Sequence, residues 1–81
     1  MKAHYTKHFL KSYADASAQI QKAFDKQLTL LLSNFRHPSL QVKKYDEAQG
    51  VWQARVTLNW RFYFTIEGDT YYLIEVKPHP K

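Results

Sequence analysis

The hydrophobic period of this chain changes once, at Leu40, and that change dictates the order in which its elements can occur. Before it, Ile20, Phe24, Leu28, Leu31 and Phe35, joined by Ala23 and Leu32, recur at the spacing of an α-helical stripe, with Gln21, Lys22, Asp25, Lys26 and Thr29 largely on the opposite side. After it the repeat is two. Leu40 and Val42 alternate with Gln41 and Lys43; Trp52, Ala54 and Val56 with Gln53, Arg55 and Thr57; Trp60, Phe62, Phe64 and Ile66 with Arg61, Tyr63 and Thr65; Tyr72, Ile74 and Val76 with Tyr71, Leu73 and Glu75.

Punctuation supports this division. Phe9, Leu10 and Tyr13 share one side of a short first helix that Thr6 can cap, and Ser17 or Asp15 can cap the second, although no capping box follows either. Pro38 keeps His37 out of helical geometry and closes that helix. The opening AHYT is a candidate short strand ahead of the helices. DEAQG (46–50) and EGD (67–69) carry turn chemistry, and Leu58–Asn59 forms a tight connection of unassigned type.

Two helices joined by a short linker and followed by a meander imply an α+β domain: a helical hairpin over about residues 1–35 packed on antiparallel strands over about residues 40–77. The helical stripe is expected to bury against Trp52, Val56, Phe62 and Phe64, leaving the other sheet face to Lys43, Gln53, Arg55, Arg61 and Tyr63, with Tyr71 as a further candidate. At 81 residues, with no repeat or linker, the chain has room for one domain spanning 1–81.

Composition removes several classes of function. Cysteine is absent, which excludes disulfides and thiolate metal sites and points to a reducing cytoplasm. The longest apolar run, LTLLL at Leu28–Leu32, is too short to span a bilayer, and the N-terminal residues have no export pattern. Net charge is +5 and unevenly placed. Lys2, Lys7, Lys11, Lys22, Lys26, Arg36, Lys43 and Lys44 stand against Asp15 and Asp25 in residues 1–44, whereas the remainder is close to balance. That asymmetry suits a polyanion or an acidic protein partner.

Phosphate recognition calls for planar bidentate donors and base recognition for aromatic faces, so Arg55, Arg61, Lys43 and Tyr63 form a reasonable RNA-facing set. The alternative is that both arginines merely solvate an open sheet face. Histidine adds a group able to exchange protons near neutrality, and His79, after the last strand, can reach the sheet edge. His4, His8 and His37 have no metal-type spacing, and neither a glycine-rich phosphate loop nor a nucleophilic triad is present, so no metal or small-molecule cofactor is expected.

The string RHPSLQVKKY, followed after a loop by VWQARVTLNWRFYFTIEGDTYYLIEVK, resembles the RelE/ParE toxin family, and with the helical lead-in FLKSYADASAQIQKAF the likeness covers nearly the whole chain. The resemblance implies a strand and two helices leading into an antiparallel sheet. In the ribonuclease members it also implies metal-independent cleavage of mRNA on the ribosome, where basic sheet residues activate the 2′-hydroxyl and leave a 2′,3′-cyclic phosphate. By motif, Arg61 in NWRFYF matches the family's strand arginine, Arg55 in WQARV a basic strand position and Lys43 the VKK segment. His79 falls where many members place His or Arg.

The catalytic set so implied is Arg61, Arg55, His79 and Lys43, with Lys44, Gln53, Tyr63 and Lys77 as further RNA contacts; the implied partners are a cognate antitoxin, mRNA and the ribosome. Gln41 replaces a usual histidine, Gln53 a usual acidic residue and Lys77 a usual small one. The sequence ends at Lys81, before the tyrosine that often follows the final histidine, and Pro78 and Pro80 set an unusual tail path. These departures keep open a gyrase-poisoning ParE-like activity, a weakened toxin that only binds antitoxin and RNA, and a plain RNA-binding or assembly module.

Overall fold

The computed structural model describes residues 1–79. Strand β1 (Lys2–Tyr5) leads into helices α1 (Lys7–Asp15) and α2 (Ala18–Ser33). A 3-10 turn (Pro38–Leu40) follows, then β2 (Lys43–Asp46), β3 (Val51–Thr57), β4 (Trp60–Glu67) and β5 (Thr70–Pro78). The sheet order is β1-β5-β4-β3-β2. Strands β2 to β5 form the expected antiparallel meander, while β1 adds to the edge of β5 in parallel, making the sheet mixed. Among the described residues no helix is long and apolar enough to cross a membrane.

Both helix starts use the hydroxyl expected of them. Thr6 Oγ1 accepts from the Phe9 N–H at 3.1 Å and donates to Leu73 O at 2.7 Å, so one side chain caps α1 and fastens it to β5. Ser17, rather than Asp15, caps α2 by accepting from the Ile20 N–H. Where β1 stops, α1 takes over the β5 edge: the Val76 N–H donates to Ser12 Oγ at 3.1 Å, supplying the partner a strand would have given.

Helix α1 lies over β5 and α2 over β3. Between them and the sheet run aromatic contacts, Phe9 to Phe24 and Phe24 to Phe62 each at 5.0 Å, then Phe62 to Phe64 at 5.7 Å and Phe64 to Tyr71 at 5.4 Å. Phe35 lies beyond the end of α2 yet still joins this layer, stacking parallel to Tyr71 and meeting Trp52 edge-on. Leu31, Leu40, Leu73 and Val76 complete the core.

Three sequence expectations change. Leu10 and Leu32 fall outside the core and are exposed, because the short α1 and the last turn of α2 present only part of their apolar arcs to the sheet. The phase of β5 is also shifted. Glu75 opposes Tyr63, but Leu73 opposes Phe64, so Ile74 is an extra, bulged residue. Because a bulge reverses the alternation on one side of itself, Tyr71 and Leu73 face the helices with Val76, and Tyr71 leaves the open-face set.

Gln27, on the solvent side of no simple pattern, is buried beneath α2. Its Nε2 donates to Ser39 O at 3.1 Å and Arg55 O at 2.9 Å, joining helix, 3-10 turn and β3 through one amide. Replacing it with leucine strands two carbonyl acceptors. Gln27→Leu is therefore expected to lower unfolding free energy by about 1–3 kcal/mol in urea titrations, despite the added hydrophobicity.

Burial raises the phenol pKa of Tyr13, Tyr63 and Tyr71 above the ordinary value of about 10, and the Asp25 carboxylate accepting from Tyr13 adds to the first of these. A phenol whose pKa is higher folded than unfolded stabilises the fold below the unfolded pKa and loses that contribution as pH rises through the folded one. The melting temperature should hold to about pH 10 and fall above it, with part of the phenolate absorbance of the six tyrosines appearing only as the protein unfolds. A flat melting temperature through that range would contradict the assignment.

Candidate nucleic-acid interface

Strand alternation sends every second residue of β3, β4 and β5 away from the helices, and cross-strand register aligns these residues in rows. One row carries Arg55, Arg61 and Lys77, with Arg55 opposite Arg61 and Arg61 opposite Lys77. The adjoining row carries Lys43, Gln53, Tyr63 and Glu75 across β2, β3, β4 and β5. Both helices lie on the other side, so neither of them covers this face.

Directly opposed like charges on neighbouring strands repel. Arg61 is relieved by the β3–β4 turn. Its Nη1 donates to Thr57 O at 2.8 Å, Trp60 O at 3.0 Å and Leu58 O at 3.2 Å, so the guanidinium braces the tight connection around Leu58 and Asn59. Lys77 is relieved differently: its Nζ lies 3.5 Å from Glu75 Oε1 and 5.0 Å from the centre of the Tyr63 ring. Glu75 is shared, because His8 Nε2 on α1 approaches its other oxygen at 3.2 Å. Arg55 has no acidic partner among the described residues, and its Nε is buried without a hydrogen bond.

Sequence-nominated positions divide accordingly. Arg55, Arg61, Lys43 and Lys77 come together on the open face. His79 follows at its end, where its backbone N–H donates to Asn59 O at 2.7 Å, placing it beside the turn that Arg61 braces. Lys44 is set apart from the others, since it opposes Trp52 on the helix-facing side and holds its Nζ 5.4 Å from that indole. Gln53 and Tyr63 belong to the face but are covered by their neighbours, at 6% and 4% exposure. Burial raises the Tyr63 pKa while Lys77 opposes the rise. The path expected for Pro80 lies outside the described residues.

The residue that sequence reasoning passed over is Tyr45. It is 56% exposed and meets Tyr63 at 4.9 Å with the rings inclined by 63°. Its signal was available, because Tyr45 stands two residues after Lys43 and alternation alone puts both on one side. Among the described residues no three His, Asp or Glu side chains gather as a metal-ligand set.

No protein-family model matches the sequence, and no curated protein is significantly similar to it. Solved structures are. A YoeB/ParE toxin from Agrobacterium tumefaciens superposes with a TM-score of 0.78 at 16% identity, covering 99% of this chain and 100% of the other. A YoeB dimer from Staphylococcus aureus gives 0.80 at 13% identity, over 99% and 98%. The RelB-RelE antitoxin-toxin complex from Methanococcus jannaschii gives 0.73 at 21% identity, over 91% and 87%. Agreement in element order over nearly the full length of each chain, at identities this low, is agreement in backbone architecture: the chain has the RelE/ParE-like toxin fold.

Proposed function

We propose that this protein is the toxin of a type II toxin-antitoxin pair and that it cleaves mRNA on the ribosome without a metal ion. The observation that carries this reading is the in-register row of Arg55, Arg61 and Lys77 on a sheet face left open by the helices, with Lys43 in the adjoining row. An anion seated on that row removes the repulsion among its members, and a phosphodiester supplies both the charge and the equatorial oxygens that guanidinium groups engage.

The reaction is transesterification. The 2′-oxygen forms a bond to phosphorus, the bond from phosphorus to the 5′-oxygen breaks, and the products are a 2′,3′-cyclic phosphate and a 5′-hydroxyl. Arg61 and Arg55 hold the phosphate and take up the charge of the phosphorane. The 2′-hydroxyl proton passes to solvent, with the Lys43 ammonium on the same face stabilising the negative charge that develops on the 2′-oxygen, and His79, at the end of the row, delivers a proton to the departing 5′-oxygen. Lys77, held by Glu75, adds positive potential without being free to move far.

An antitoxin partner is supported by the neighbours, which include toxin-antitoxin complexes of RelE with RelB and of YoeB with YefM. In this reading an antitoxin neutralises the toxin by masking the cationic face or by deforming it.

Induced expression should arrest growth and create new 5′-hydroxyl ends within translated messages. Arg55→Ala should reduce cleavage of ribosome-bound message by about a hundredfold or more. Arg61→Ala should do the same, but Arg61 also braces a turn, so its melting temperature must be measured beside its activity and Arg61→Lys compared with it. Growth arrest without new message ends, or full cleavage by a folded Arg55→Ala protein, rules the mechanism out. Gyrase-trapped DNA breaks in place of message ends would mark a gyrase poison instead.

A further inference from the structure

We infer that Tyr45 is a stacking platform for a nucleobase near the phosphate bound by the arginine row, and so contributes to RNA affinity at one position of the strand. This rests on the face being an RNA surface, and it assigns to that face a residue whose chemistry the phosphate contacts do not use.

Four observations converge on it. Tyr45 keeps 56% of its surface accessible on the open face, while Tyr63 beside it is 4% exposed. The two rings meet at 4.9 Å, so Tyr45 is held by packing on a buried neighbour rather than swinging free. An aromatic ring already held in place loses little conformational entropy when a second ring stacks on it.

Position supplies the third observation. Lys43 lies on the same face two residues before Tyr45, and Gln53 opposes Lys43, one row from Arg55 and Arg61. Adjacent rows along a strand are about 7 Å apart, two residues of rise, which is comparable with the step between neighbouring nucleotides in an extended strand. Tyr45 lies beyond Lys43 on the side away from the arginines, but its ring reaches back to Tyr63, one row from Arg61, so a base one nucleotide step from a phosphate on the arginines meets that ring.

The bulge is the fourth. Register passes from Lys44 opposite Trp52 to Asp46 opposite Val51, leaving Tyr45 as the extra residue of the edge strand. A bulged residue has no directly opposed partner on the neighbouring strand, and here that unopposed side chain is the exposed ring. An apolar partner could also cover a tyrosine, but the ring sits against Tyr63, which carries Lys77 over its own face, with Lys43 two residues away, and the combination of cations with an accessible ring suits single-stranded nucleic acid.

The test uses fluorescein-labelled single-stranded RNA of about ten nucleotides, carrying one abasic site at each position in turn, with binding read by anisotropy. For the wild-type protein, one position should lose affinity by about tenfold when its base is removed. In Tyr45→Ala that sensitivity should vanish, the abasic and parent strands binding alike, and Tyr45→Trp should restore it.

An unchanged abasic profile in a folded Tyr45→Ala protein overturns the inference. So does an equal loss for every strand including the abasic one, because that would mark support of the Tyr63 packing rather than a base contact. Failure of the underlying reading looks different: wild-type binding would not weaken with added salt, and Arg55→Ala would bind RNA as tightly as wild type.

Discussion

Burial of one layer of aromatic side chains between the helices and one sheet face governs the rest of this structure. Phe9, Phe24, Phe62 and Phe64 are almost completely removed from water, and each contributes roughly 1.5–3 kcal/mol relative to exposure. An exposed ion pair contributes about 1 kcal/mol at most, so no charge on the opposite face can decide how the chain folds. That disparity frees the second face. Cations can be aligned there in directly opposed positions because the aromatic layer has already fixed the strands that carry them.

Cations on the open face are therefore not equivalent. Arg61 directs one nitrogen to three turn carbonyls, and Lys77 is drawn toward Glu75 and the Tyr63 ring, so both are held in place by neutral or acidic groups of the protein. Arg55 and Lys43 have no such partner among the described residues. Held cations define where an anion sits, and unpaired ones gain most when it arrives, since they meet the anion without giving up an existing pair. In the proposed cleavage reaction, fixing part of the positive charge beforehand would also reduce the reorganisation needed as charge develops on the phosphorane.

Patterning in the sequence carried the layer order and most of the site, for a physical reason. A half-buried strand must alternate, so Arg55, Arg61 and Lys43 could be placed opposite the core without coordinates. Two things were not legible. The β5 bulge depends on pairing with β4, and Tyr71 and Tyr72 look alike until the register is known. Gln27 is polar on an otherwise apolar flank, and its value lies in two carbonyls far along the chain. Lys44 stands in phase with Leu40 and Val42, so alternation separates it from Lys43, and the pairing of Lys44 with Trp52 and Lys43 with Gln53 follows that phase.

Exchange of roles between Tyr63 and Tyr45 follows from the same logic. A central strand of a five-stranded sheet is flanked on both sides, so a side chain on its open face is covered by those of its neighbours; Tyr63 on β4 has Lys77 over its ring and Tyr45 against it. An edge strand has a neighbour on one side only, and Tyr45 on β2 keeps more than half its surface exposed. The deeper phenol thus serves as the floor of the face, its pKa raised by desolvation and its hydroxyl kept neutral over the physiological range. Outer ring and inner floor together form an aromatic step beside the arginine row, and the edge position of β2 is what leaves that step accessible.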